Sequence, residues 1–125
     1  MRTRQARPAK IKPFDMTGIE RSEDGILRYT GLPDSLVALF DAMVREQPDG
    51  EALVELGGDR ISYQQWWDRS GRVAGGLRSY GISQGDRVAI HLGNSNNWAF
   101  AFFGIQLAGA VAVPVNTRFS DSEVE

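Results

Sequence analysis

Residues 98–115 read WAFAFFGIQLAGAVAVPV, and this run decides the fold. It carries no charged residue, Gln106 is its only strongly polar side chain, and its length approaches that of a membrane-spanning helix. An Ala-Gly pair at 108–109 divides it. A helix of about 12 residues before the pair would be about 18 Å long, well short of a hydrocarbon core of about 30 Å. After the pair, β-branched residues alternate as far as Pro114, which predicts a short strand.

The segment before this run predicts a second strand beside the first. In residues 87–92 (RVAIHL) large apolar side chains alternate with smaller or polar ones. The loop GNSN at 93–96 then supplies Asn94 or Ser95 as the N-cap of the apolar helix. Strand, loop, helix and strand in this order predict a βαβ unit with a parallel sheet. Because a helix packed on both sides is apolar almost all round, we expect a buried helix and no transmembrane segment.

The composition is that of a folded protein and excludes several kinds of site. The chain has 125 residues, of which 42% are hydrophobic and 24% charged, so it is long enough to build a hydrophobic core. It contains no cysteine, which excludes disulfides and thiolate metal sites. His91 is the only histidine, and we predict no metal site.

The N-terminal residues differ from the rest in charge. Their basic side chains are Arg2, Arg4, Arg7, Lys10 and Lys12, and the first acidic residue is Asp15. Such a tail contacts nucleic acid or a membrane, or, as we favour, is a solvated chain end. It lacks the apolar segment of a secretory signal, so we predict a cytoplasmic protein. Because we interpret the tail as a solvated chain end, we predict no nucleic-acid partner.

Prolines and glycines punctuate residues 1–33, which predicts a basic tail and an irregular lead-in with a short extended piece at 26–29. A domain portion is predicted over 34–125. Its first helix begins at Asp34 or Ser35 and stops before Pro48.

A β-hairpin and a long helix follow. Residues 52–56 and 60–63 predict the two strands of the hairpin. Ser62 and Gln65 form a capping box that starts the helix, and Gly81 is placed to end it. Three glycines lie within this helix, and we expect them to permit close packing against a neighbour: Gly71, Gly75 and Gly76.

A further capping box, Ser120 with Glu123, predicts that another helix begins just before Glu125. We therefore expect the sequence to be the first portion of a longer domain.

Few residues suggest chemistry. The loop at 93–95 lies between a strand and a helix N-terminus, where free N–H groups bind anions, although a structural connection is the alternative we favour. We expect His91 to be a satisfied structural histidine. Arg118 is either a phosphate ligand or a solvated loop residue. The tryptophans are expected to be core or interface aromatics: Trp66, Trp67 and Trp98.

The order of several segments resembles the N-terminal part of the adenylate-forming acyl-CoA synthetases, the AMP-binding family. Residues 61–66 (ISYQQW) match an early motif of that family, and 108–116 (AGAVAVPVN) match a second one. The junction GDRVA at 85–89 is also typical. Each motif is weak alone, but together they extend over about three-quarters of the chain.

The resemblance implies an α/β fold belonging to the family's large N-terminal domain. It also implies an acid–thiol ligase that uses ATP and Mg²⁺ to convert a fatty or other carboxylic acid to an acyl-adenylate, and then transfers the acyl group to coenzyme A. Arg118 matches an arginine that lies near the nucleotide phosphates of coenzyme A in related ligases.

The family's phosphate loop and catalytic lysine have no counterpart in these 125 residues. The resemblance therefore implies no catalytic residue here, no tightly bound cofactor and no activity for the chain alone. Two alternatives remain: an adenylating enzyme that loads a carrier protein or releases the adenylate, and a non-catalytic binding module.

Overall fold

The computed structural model describes residues 14–124, which adopt a mixed α/β fold. The strands are β1 (Ile19–Arg21), β2 (Leu27–Tyr29), β3 (Glu51–Val54), β4 (Arg60–Ser62), β5 (Arg87–Ile90) and β6 (Val111–Pro114). The helices are α1 (Leu36–Glu46), α2 (Tyr63–Ser79), α3 (Asn96–Leu107) and α4 (Asp121–Val124). Strands β1–β2 and β3–β4 pair antiparallel, and β5–β6 pair parallel.

The predicted hairpin, packed helices and βαβ unit are confirmed. Within residues 14–124, no helix combines the length and apolar character that crossing a bilayer requires.

A boundary between two compact units falls between Leu32 and Pro33. The described part of the first unit contains the β1–β2 hairpin. Strand β2 (Leu27–Tyr29) confirms the extended piece predicted at 26–29, whereas the prediction of an irregular lead-in was wrong for β1 and for the pairing of the two strands. The overlooked signal is the Asp-Gly pair at 24–25, a common hairpin turn, in which Gly25 has a φ of 80°. The predicted basic tail lies outside the described residues.

An exposed network centred on Asp24 closes this hairpin. Its carboxylate accepts hydrogen bonds from the Arg28 guanidinium (2.7 and 2.9 Å), the Ser22 hydroxyl (2.6 Å) and the Ile26 N–H (3.0 Å). These donors, with Arg28 the largest contributor, hold the pKa of Asp24 well below its usual range. The network therefore stabilises the hairpin above about pH 4, the ordinary carboxyl range, and this contribution is lost as the pH falls toward the lowered pKa of Asp24.

Replacing Arg28 by Gln should raise the pKa of Asp24 toward the ordinary value of about 3.9, because the ion pair is lost while the Ser22 and Ile26 donors remain. A carboxyl ¹³C NMR titration measures this directly. Arg45→Gln on α1 is the control and should leave the titration of Asp24 unchanged. An unaltered pKa in R28Q would show that the ion pair does not act in solution.

Local signals set the ends of α1 and α2 as predicted. The Ser35 hydroxyl accepts from the Ala38 N–H (3.1 Å) and caps α1. Ser62 and Gln65 form both bonds of the capping box that starts α2. At the other end, Gly81 has a φ of 92°, and the bonds from Gly81 N to Arg78 O and Ile82 N to Leu77 O are those of a Schellman motif.

Helices α2 and α3 run side by side in the same direction. The Trp66 indole donates to Ala99 O (3.3 Å) near their N-terminal ends, and the Arg78 guanidinium donates to Leu107 O (2.6 Å) near their C-terminal ends. Between these bonds the helices touch at Gly104, where a Cβ would lie 2.5 Å from Val73 Cβ and 3.0 Å from Ser70 O. This glycine is therefore required by the contact.

The glycines of α2 have a different role from the predicted one. Gly71, Gly75 and Gly76 are exposed, and a Cβ at any of them would meet nothing within 4 Å. The expectation that they permit close packing was wrong within this fold. The close approach is made by Gly104 of α3, and α2 contributes Val73 and the Ser70 carbonyl to it.

The opposite face of α3 packs on the parallel sheet. Ile105 joins Ile90 and Ala110 in a buried cluster, around which Leu77, Val88, Trp98 and Phe102 are packed. Helix α3 ends at a second Schellman motif, with Gly109 at φ 81° and Ala110 N donating to Ile105 O (3.0 Å). The prediction of an apolar helix packed on both sides and broken at 108–109 is confirmed.

Gly104→Ala should destabilise the protein by about 1–3 kcal/mol, because the new methyl group overlaps Val73 and forces the helices apart. The matched control is Gly75→Ala on the open face of α2, which should stabilise by about 0.5–1 kcal/mol through higher helix propensity. Urea unfolding followed by circular dichroism measures both. Equal stability of G104A and the wild type would disprove the close contact.

Candidate functional site at the ends of the parallel strands

A cavity of about 350 Å³ opens where β5 and β6 end. One wall is formed by the residues after β5, namely Leu92, Gly93 and Asn94, and the other by those after β6, namely Val115, Asn116 and Thr117. Trp98 of α3 contributes a ring between them. The carboxyl ends of parallel strands are where α/β folds place their ligands, so this cavity is the candidate functional site.

The wall after β6 is a turn held by its own polar groups. Val115 N donates to Ile90 O (2.9 Å) and extends the parallel pairing by one bond. The Asn116 side-chain oxygen accepts from Arg118 N (3.0 Å), and Asn116 O accepts from Phe119 N (3.0 Å). Arg118 is exposed and follows the lining residue Thr117 directly, but it is not itself part of the lining. The structure thus places its backbone at the rim.

The wall after β5 leads into the N-terminus of α3. Ser95 is the N-cap residue, one of the two predicted, yet its hydroxyl makes no capping bond and donates to Gly93 O (3.2 Å). Instead, a carboxylate oxygen of Glu55, from the β3–β4 turn, accepts from Asn96 N (3.0 Å). The sequence analysis left open whether loop 93–95 is an anion site or a structural connection. In the structure the carboxylate of Glu55 accepts the hydrogen bond that the helix N-terminus would otherwise donate to a bound anion.

A second cavity, of about 300 Å³, lies on the other side of the same loop. It is lined by the end of β3 and its turn, and by Asn94, Ser95 and Asn96. Asn94 therefore faces both cavities. Both parallel strands, β5 and β6, lead into the first cavity, whereas no residue after β6 lines the second, so we place the functional site in the cavity at the ends of β5 and β6.

The predicted aromatic residues are interface aromatics, as expected. Trp66 lies with its ring centre 4.5 Å from Phe40 and 4.8 Å from Phe103, and Trp67 packs 5.2 Å from Phe40. Trp98 stacks on Phe102 at 5.3 Å, with their planes 8° apart, which fixes the ring that borders the cavity.

His91 does not have the predicted role. It follows the last residue of β5 and its side chain is exposed, with no hydrogen bond to the described residues. The strand whose alternation suggested a packed histidine ends one position earlier, at Ile90.

The chemistry of the site is that of binding and orientation. Its lining offers the amides of Asn94 and Asn116, the hydroxyl of Thr117 and the aromatic residue Trp98. Within residues 14–124 no group of three or more His, Asp or Glu side chains could hold a metal ion. The described lining therefore suits a neutral polar ligand or one carrying phosphate, but does not suit Mg²⁺.

A family model described as AMP-binding enzyme matches residues 40–125. The chain belongs to this family. The match begins in α1 and includes the α2–α3 contact and both walls of the cavity.

Individual relatives agree with this family assignment. A long-chain-fatty-acid–CoA ligase, FadD13, of Mycobacterium tuberculosis is 42% identical over 78 residues, which are 62% of this chain and 16% of the relative. A long-chain-fatty-acid–CoA ligase of Haemophilus influenzae is 34% identical over 93 residues, 74% of this chain and 16% of the relative. A nonribosomal peptide synthetase, aclP, of Aspergillus oryzae is 33% identical over 96 residues, 77% of this chain and 6% of the relative.

Solved structures also agree with the family assignment. The N-terminal domain of FACL13 from Mycobacterium tuberculosis is similar with a TM-score of 0.69 and 34% identity, over 74% of this chain and 24% of that one. The Klebsiella oxytoca NpsA N-terminal subdomain is similar with a TM-score of 0.68 and 26% identity, over 72% of this chain and 24% of that one. The chain thus spans about one-sixth of the length of the first two relatives, 16% of each.

Proposed function

We propose that these residues form the first part of the large domain of an AMP-forming acyl-CoA ligase. In this reaction a carboxylate attacks the α-phosphorus of ATP and expels pyrophosphate. The thiol of coenzyme A then attacks the acyl-adenylate, giving the thioester and AMP. The observation that carries the proposal is the family match over 40–125, together with relatives named as fatty-acid–CoA ligases. A fatty acid is the proposed substrate class, and a cytoplasmic location stays a prediction.

The part of this chain in that reaction is to build one wall of the ligand site. Helices α2 and α3 lock together at Gly104, and α3 in turn carries the sheet whose strand ends form the cavity. We propose that the 125 residues alone are inactive, because the family's phosphate loop and catalytic lysine are not among them. ATP and Mg²⁺ would be held by other residues of the enzyme.

Arg118 is the proposed ligand of a coenzyme A phosphate. It is exposed at the rim of the cavity, and its backbone is fixed by the bond from Arg118 N to Asn116 Oδ1. A guanidinium donates two parallel hydrogen bonds to a phosphate, which suits this group to the nucleotide end of coenzyme A.

A chimeric enzyme tests the proposed function. The segment of the Mycobacterium tuberculosis ligase that matches this chain is replaced by the corresponding residues, and ATP–pyrophosphate exchange is followed with fatty acids from short to long. We expect acid-dependent exchange and thioester formation in the chimera, and none with the 125-residue chain alone. Exchange by the chain alone would refute its inactivity, and a folded chimera without exchange would count against the family role.

In the same chimera, Arg118→Gln should raise the KM for coenzyme A about tenfold and leave exchange unaltered, since one charge-assisted phosphate contact is lost. Arg72→Gln, on the exposed face of α2, is the matched control. An unchanged KM in R118Q would remove Arg118 from the coenzyme A site. Dephospho-coenzyme A, which lacks the 3′-phosphate, identifies the phosphate that Arg118 binds. If Arg118 binds the 3′-phosphate, the KM values of R118Q for coenzyme A and for dephospho-coenzyme A should be equal, whereas the chimera with Arg118 should bind dephospho-coenzyme A more weakly.

An adenylating enzyme that loads a carrier protein is the second candidate, and the similarity to a nonribosomal peptide synthetase favours it. The two differ in the acceptor thiol. In assays of the intact protein, a ligase consumes free coenzyme A, whereas a carrier-loading enzyme accumulates adenylate until a carrier protein bearing a thiol arm is added.

A further inference from the structure

The N-terminus of α3 is held by a turn that lies about 40 residues earlier in the sequence. Glu55 Oε2 accepts from Asn96 N (3.0 Å), and the Asn96 side-chain amide donates to Asp59 O (3.1 Å). We infer that the β3–β4 turn is a latch on α3 and that Glu55 is a positioning residue for the wall of the strand-end cavity.

The helix requires such a partner. The first N–H groups of a helix have no acceptor within it and carry a partial positive charge. Helix α3 has no acidic residue in its first turn, and the hydroxyl of its N-cap Ser95 bonds to Gly93 O instead. The carboxylate of Glu55 thus supplies both the missing acceptor and the complementary charge.

The turn itself is closed by its own hydrogen bonds, so it presents both contacts together. Gly58 N donates to Glu55 O (2.9 Å), Glu55 N donates to Asp59 O (3.2 Å), and Gly57 adopts a φ of 74° that allows the reversal. Asp59 O therefore accepts both from its own turn and from the Asn96 side chain. Movement of the hairpin would move the start of α3.

The start of α3 is connected directly to the cavity. Asn94 lines both the strand-end cavity and the second cavity beside the turn. Trp98, which also lines the strand-end cavity, donates its backbone N–H to Ser95 O (3.1 Å). Fixing Asn96 therefore fixes two lining groups. Only the relevance of this wall to acyl or coenzyme A binding rests on the proposed function.

Amide hydrogen exchange measured by NMR on the intact chain tests the latch without ligand or turnover. In Glu55→Ala, exchange at Asn96 should accelerate about fivefold, the Asn94 amide and Trp98 indole signals should shift, and amides within α2 should be unaffected. Glu55→Gln retains an acceptor oxygen without the charge, so it should restore most of the protection. Glu46→Gln, an exposed glutamate at the end of α1, is the control and should change none of these signals.

Two results would overturn the proposal. Unchanged exchange at Asn96 in E55A would show that the contact with Glu55 is absent. Acceleration spread equally over α1 and α2 would show only a loss of global stability. Asn96→Pro gives an independent check. It removes both latch donors of Asn96, the backbone N–H at the first helical position, where proline is favoured, and the side-chain amide that donates to Asp59 O. Ser95 is already extended (φ −162°, ψ 167°), as a residue before proline should be.

If the latch acts through Asn96 N, adding E55A to N96P should produce no further shift of the Trp98 indole signal. A further shift as large as in E55A alone would contradict it. Both measurements are made without catalysis, so failure of the latch proposal and failure of the proposed ligase function can be told apart.

Discussion

The approach of α3 to α2 at Gly104 is the contact on which the remaining structure depends. No side chain larger than hydrogen fits there, because Val73 and the Ser70 carbonyl already occupy the position of a Cβ. The small separation keeps the two helices in register, so that Trp66 meets Ala99 at one end and Arg78 meets Leu107 at the other. Ser70 is fully buried, and its hydroxyl has no partner among the described residues. An unpaired buried hydroxyl is unfavourable, so Ser70 lowers the stability of this otherwise close contact.

Because one face of α3 is committed to α2, its other face is free to cover the parallel sheet. Ile105 and Phe102 pack there against residues of β5 and of the turn before β6. A parallel pair of strands is stable only when helices cover it, and α3 is the crossover that joins and covers these two. The aromatic groups of α1, α2 and α3 fill the space on the α2 side, with Phe40 in contact with both Trp66 and Phe103. The cavity at the strand ends therefore has a rigid base.

The two ends of α3 are held in different ways. Its C-terminal end is determined locally by Gly109 and the Schellman bonds, and the guanidinium of Arg78 on α2 adds a single long-range bond to the carbonyl of Leu107. Its N-terminal end relies on Glu55 and Asp59 from another hairpin. The cavity wall after β5 thus depends on long-range contacts, while the wall after β6 is held by bonds among residues 115–119. A ligand that contacts both walls would therefore touch one wall held by contacts with Glu55 and Asp59 and one held by hydrogen bonds within its own turn.

The sequence alone determined the elements whose signals lie within a few residues of each other. The capping box at Ser62, the ends at Gly81 and Gly109, and the order of β5, α3 and β6 were all predictable, because caps, left-handed glycines and hydrophobic alternation act through neighbouring backbone. The hairpin at 19–29 was equally local, and its Asp-Gly turn went unrecognised. Only the tertiary structure decided which glycine lies at a helix contact, that His91 is exposed, and that Glu55 caps α3. Each of these depends on which surfaces meet across a separation of tens of residues, and packing, not local backbone preference, decides that.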